Sequence, residues 1–262
     1  MKKIALAATA AILMTGAASA ADMAPAYTKA PPPVVAPIYN WTGFYIGING
    51  GGGSSRKCWN ETLDGTVGPQ PNVPEGCHDA TGGTIGGQIG YRWQMNTSWV
   101  FGVEAQGNWS NFRGSNLNQS PLNAPFNFTD NSKIDAFGLF TGQVGYAWNN
   151  VLFYVKGGAA VVDDKYYNVG GGVGVPVGVT FSNGSETRWG GVVGAGIEFG
   201  FAPGWSVAAE YDHMFMGTKS VTLNLIPPFG PGLSGVHNIQ QDVDIGTIRV
   251  NYRFGGPIVA RY

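Results

Sequence analysis

Every second residue from Ile85 to Trp93 is apolar or small: Ile85, Gly87, Ile89, Tyr91 and Trp93. The residues around them, Thr84, Gly86, Gln88, Gly90, Arg92 and Gln94, are polar or small. A period of two makes a strand with one greasy face and one wet face. The pattern recurs along the chain, with short and long connections taking turns. A soluble protein would cover such faces with a second layer. Here every candidate strand has an apolar face, no helical stretch remains to cover it, and aromatics crowd the strand ends. The expected fold is all-β: an eight-stranded antiparallel transmembrane β-barrel of up-and-down topology, apolar outside and polar inside.

Composition supports that choice. Charged residues make up only 12% of the chain, about half of the usual ~25%. Aromatics reach 13% and glycines number 42. Low charge without a long greasy run is what alternating membrane strands produce. The net charge of −1 gives no reason to expect a nucleic-acid partner.

The first residues read as a secretory signal. Lys2 and Lys3 form the positive region, Ile4 to Gly16 the apolar region, and Ala18-Ser19-Ala20 a small-residue cleavage site. The apolar run is short for a membrane anchor, so residues 1–20 are expected to be removed on export. The following residue is Ala21, not cysteine, which argues against a lipoprotein. Residues 21–40 carry Pro25, Pro31-Pro32-Pro33 and Pro37 and read as an extended periplasmic linker. The barrel is expected over 41–254, with a tail over 255–262.

The alternation predicts strands over 43–51, 82–94, 99–109, 133–148, 151–163, 187–200, 205–215 and 241–254. Three tight connections, 95–98, 149–150 and 201–204, alternate with four long ones, 52–81, 110–132, 164–186 and 216–240. Outer-membrane barrels have short periplasmic turns and longer surface loops, so the long segments are expected outside the cell and both chain ends inside. Asn149-Asn150 suits a type I′ turn, because Asn tolerates positive φ. That turn would set Trp148 against Val151, Tyr146 against Phe153 and Val144 against Val155 on the lipid side. Gln143 would then meet Lys156 inside, with Gly145 opposite Tyr154.

Cys58 and Cys77 share one polar Gly/Pro-rich segment. In an exported chain that spacing reads as a disulfide closing a loop. A pair of free thiols is the alternative; a metal site lacks ligands, since His78 alone is near.

Two segments of the chain resemble a known family. Asn40-Trp-Thr-Gly-Phe-Tyr-Ile-Gly47 and the ending Val250-Asn-Tyr-Arg-Phe254 are similar to the small porin-like barrels of alphaproteobacterial outer membranes, the RopB-type group. They also resemble the transmembrane barrel of OmpA-like proteins. The resemblance covers the chain from about residue 40 and implies a cell outer-membrane location. Such barrels usually end at an aromatic, whereas here Gly255 to Tyr262 follow Phe254, leaving Tyr262 as a candidate terminal aromatic. The partners expected are outer-membrane lipids, lipopolysaccharide and the barrel-insertion machinery.

The chemistry-bearing candidates lie on the inward faces. Arg92, Lys156, Arg188, Arg249 and Arg253 stand against Glu104, Asp135, Glu198, Glu210 and Asp212. Matched signs in a narrow interior suggest a pairing network. Eight strands enclose a space just wide enough for side chains to fill, so the network reads as a structural plug; the functional alternative is the lining of a narrow polar path. Aligning the ends of the last two strands, Trp205 near Phe254, would place Glu210 opposite Arg249. A lipid hydrolase would need a serine and an acid beside outward-facing His213; Asp212 points inward and no serine sits close in register. His78 and His237 lie in different loops and form no metal spacing. The glycine runs 50–53 and 170–172 lack the strand–turn–helix setting and the lysine of a phosphate loop. No catalytic, cofactor or metal residue is expected. The role expected is structural or porin-like, with surface binding through the long loops as the alternative and lipid hydrolysis third.

Overall fold

A computed structural model describes residues 39–255. The signal, most of the linker and the tail from residue 256, Tyr262 included, lie outside the described residues.

Every regular element among the described residues is a strand. The strands are β1 (Gly43–Asp64), β2 (Gly68–Met95), β3 (Trp99–Leu117), β4 (Thr129–Trp148), β5 (Val151–Val169), β6 (Thr180–Ala202), β7 (Trp205–Leu225) and β8 (Gly232–Arg253). Each pairs antiparallel with its sequence neighbours, and β1 pairs with β8, so the sheet closes into an up-and-down barrel. Trp148↔Val151, Tyr146↔Phe153, Val144↔Val155 and Gln143↔Lys156 are register pairs, as the alternation predicts. Asn149 has a φ of 56° and Asn150 is not a positive-φ residue. Positive φ at the first central residue alone is the pattern of a type II′ turn rather than I′.

The outward face of β5 shows how the wall is built. Val151, Phe153, Val155, Gly157, Ala159 and Val161 are apolar or small; Asp163 and Lys165 follow. That apolar stretch matches the ~9–11 tilted residues a transmembrane strand needs. Around the barrel the outer face turns charged at a comparable height, through Arg56, Asp79, Arg113, Lys133, Asp242 and Asp244. Aromatics mark both margins: Trp93, Trp99, Trp148 and Trp205 near the turn end, Trp109, Trp189 and Phe215 near the charged rim.

Above the rim the structure departs from expectation. The four long segments are mostly strand, and the connections shrink to 65–67, 118–128, 170–179 and 226–231. The β6–β7 ladder is interrupted between Asn183 and Gly191 and β2–β3 stops at Thr81↔Arg113, but the other ladders continue past the apolar band into a β extension. Its outer face meets water and its inner face is mixed, so the period-two signal fades while backbone pairing does not. The prolines of this region, Pro69, Pro71 and Pro74, sit on the part of β2 that lies beyond its ladder with β3, which begins at Thr81↔Arg113. Cys58 and Cys77 form a disulfide; they are a directly opposed pair on β1 and β2, inside a ladder rather than in a loop.

Candidate functional site

The barrel interior is layered, and β5 lists the layers in order. Its inward residues from the turn end are Leu152 and Tyr154, then Lys156, then Ala160 and Val162, then Asp164, Tyr166 and Asn168. Leu152 and Tyr154 join Trp41, Val100 and Ala147 in an apolar floor, against which Tyr39 packs. The Trp41 backbone N–H donates to Gln94 Oε1 at 2.7 Å, tying the segment before β1 into this floor.

The ionic layer sits above it. Arg249 bridges Glu104 and Glu210. Lys156 Nζ lies 2.7 Å from Glu210, 3.1 Å from Asp212 and 3.7 Å from Glu104. Tyr45 Oη donates to Glu104 and Tyr154 Oη to Glu210, each at 2.6 Å. Arg92 pairs with Glu198 at 2.8 Å and lies over the Tyr45 ring, 4.4 Å from its centroid. Two glycines make room for the tyrosines: a Cβ at Gly90 or Gly196 would fall 2.5 Å from the ring of Tyr45 or Tyr154. Neutral amides continue the layer. Asn108 donates to Asn49, Asn49 to Gln88, Gln88 to Asn251, and Asn251 to Glu198, at 2.6–3.0 Å. Asn49, Asn108 and Asn251 fall on the inward alternation of β1, β3 and β8; their chaining depends on side chains meeting across several strands.

Seven of the ten expected charges, Arg92, Glu104, Lys156, Glu198, Glu210, Asp212 and Arg249, lie in this layer. Arg188 is buried higher, held by the carbonyls of Gly217 and Ile239 and by Tyr166 Oη. Arg253 sits at the turn end, donating to the carbonyls of Thr42 and Gly255. Asp135 corrects the expectation of an inward acid. A register shift between Ile134 and Ala136 turns it outward, where it pairs with Lys133 and, at 2.6 Å, Lys165. The β7–β8 register also differs by two residues: Trp205 opposes Tyr252, Ala208 opposes Arg249 and Glu210 opposes Thr247. A shift of two keeps every face, so Arg249 still reaches Glu210, diagonally.

An apolar belt follows, built from Phe112, Ile134, Leu139, Val162, Met214 and Ile245 among others. It corrects the expectation of a polar lumen. Ala159-Ala160-Val161-Val162 is apolar on both faces, so alternation there is silent about what points inward. Above the belt Lys57 pairs with Asp164 across the barrel, both fully buried. Trp59, Tyr166, Val221, Leu223 and Ile239 form the uppermost apolar cluster.

On the outer face His213 Nδ1 lies 2.7 Å from Asp244 Oδ1. The strand register corrects the expectation that no serine is near: Ser54 pairs with Asp244 on the far side. The row runs His213–Asp244–Ser54, so the serine stands two strands, or ~9–10 Å, from the imidazole. A nucleophile must touch its base, and this order separates them.

Comparison with known proteins bears on the same barrel. A model of the outer membrane protein beta-barrel domain matches residues 7–254. The chain belongs to this family. It is 30% identical to the 31 kDa outer-membrane immunogenic protein of Brucella melitensis biotype 1, over 97% of this chain and 100% of that one, and equally to its counterpart in Brucella suis biovar 1. Among solved structures, OprG of Pseudomonas aeruginosa matches 82% of this chain and 98% of its own at 9% identity, with a TM-score of 0.45. Ail, the attachment invasion locus protein of Yersinia pestis, matches 81% and 99% at 14% identity, with a TM-score of 0.38. This member of the outer-membrane barrel family is thus a cell outer-membrane protein whose apolar band faces lipid.

Proposed function

We propose that the protein is a sealed, non-enzymatic barrel that serves envelope structure rather than solute passage. The observation that carries this reading is the stacking of the interior: an apolar floor, an ion-paired layer, an apolar belt and an upper apolar cluster follow one another along the axis. A solute path would have to cross a dry belt flanked by paired charges, where an ion would lose its hydration without gaining a ligand. On the same reading the turn end faces the periplasm and the β extension rises from the cell surface. The order His213–Asp244–Ser54 speaks against the lipid-hydrolase alternative.

Liposome swelling tests the reading. Vesicles carrying the refolded protein are expected to swell in small neutral sugars no faster than empty vesicles; protein-dependent swelling would favour a pore. A second reading, surface binding, is favoured by the row of touching phenylalanines Phe126, Phe128, Phe181 and Phe229 at the loop end, in which Phe126 is exposed and Phe181 is buried. The Brucella relatives are named as immunogenic proteins, which accords with an exposed extension. That reading predicts that cells displaying the protein bind a surface the deleted strain does not, and that replacing these phenylalanines removes the binding; no protein-dependent binding would overturn it.

A further inference from the structure

Three side chains meet inside the β extension, at the loop end of the barrel. Glu61 of β1 and His237 of β8 are directly opposed across the strand pair. Glu75 is the extra residue of a bulge on β2, between Gly76, which faces Trp59, and Pro74, which faces Asn60. One ligand atom from each of the three lies within 4.8 Å of the other two. His237 Nδ1 is 2.7 Å from Glu75 Oε2, and Asn118 Nδ2 donates to Glu75 Oε1 at 2.7 Å. Glu61 is only 3% exposed, yet its Oε2 is buried with no hydrogen-bond partner. All three line a cavity of about 260 Å3 that Asp64, Asn118 and Asn168 also border.

A buried carboxylate oxygen with no donor is stabilised by taking up either a proton or a cation. A third acid, Asp130, is fully buried nearby, its carboxyl group accepting from the amides of Asn118 and Asn168. We propose that Glu61, Glu75 and His237 form a binding site for a divalent transition-metal ion of the zinc class. Two carboxylates and one imidazole are a borderline donor set that suits zinc, at ~2.0–2.2 Å from each ligand. Hard ions such as calcium and magnesium want more oxygens and no imidazole. Ligand atoms 4.8 Å apart at most need to close in by about an ångström, which side-chain rotation supplies. The cavity leaves a coordination position open to water or to a small ligand, the arrangement of a three-residue site. Local spacing could not reveal it, because the ligands are far apart in sequence and only the β1–β2 and β1–β8 ladders bring them together.

The test uses the full-length protein refolded in detergent micelles and stripped with chelator. Zinc titrated by calorimetry should bind at one ion per chain, with affinity falling about tenfold or more in Glu61→Gln and in His237→Gln. His78→Gln and His213→Gln should bind as the parent does. X-ray absorption of the zinc-loaded parent should show a nitrogen/oxygen shell containing one imidazole, a readout that needs no variant to fold. Absence of saturable zinc binding, unchanged affinity in both folded variants, or a shell with no imidazole or with two would each overturn the proposal.

Discussion

At the scale of single residues, the ionic layer is unequal in charge: Glu104, Glu210 and Asp212 face Lys156 and Arg249. That imbalance makes its members respond differently. Arg249→Met should destabilise the barrel by about 3–5 kcal/mol, because it leaves three buried carboxyl groups facing one lysine. Asp212→Asn should cost at most about 1 kcal/mol, since it removes the acid in excess and keeps a polar partner for Lys156. Urea unfolding in lipid vesicles measures both; equal costs would mean that water already solvates the layer. Gly196→Ala should lose about 1–3 kcal/mol by overpacking against the Tyr154 ring, checked by the same unfolding curve. The inward charges were legible in the sequence because strict alternation names a face. What alternation could not supply was the bulge that turns Asp135 outward, or the diagonal reach of Arg249 to Glu210. Neither depends on residue type alone.

At the scale of elements, the membrane halves of the strands were legible and the upper halves were not. Val151 to Val161 alternates against lipid and announces itself; residues 54–64 of β1 have water on one side and mixed side chains on the other, so no period survives. The turn at Asn149-Asn150 fixed one hairpin to the residue, while β7–β8, aligned only by its end aromatics, came out two residues away. The Cys58–Cys77 bond now reads as a cross-strand staple of the β1–β2 extension. Its loop-closure contribution is of order 3 kcal/mol and acts above the membrane. Reduction should therefore speed backbone hydrogen exchange over residues 54–80 and leave exchange over 84–94 unchanged, as read by mass spectrometry. Loosening of the membrane half on reduction would show that the extension and the band unfold together.

At the scale of the whole molecule, lipid fixes the outside and packing fixes the inside. Apolar bands and aromatic margins made the fold class and its location readable from sequence. The order of interior layers was not readable, because it depends on which eight side chains meet at one height. Protease added to intact cells should cut only at the hairpin connections 118–128, 170–179 and 226–231, where the ladder ends. Cleavage at Asn149-Asn150 from outside would reverse the orientation. Closure of the lumen by the floor, ionic layer and belt, as proposed, is read from the current across a planar bilayer holding single wild-type barrels. A closed lumen predicts a baseline that matches protein-free lipid across the voltage range, while steady ohmic steps that scale with salt concentration would overturn the proposal.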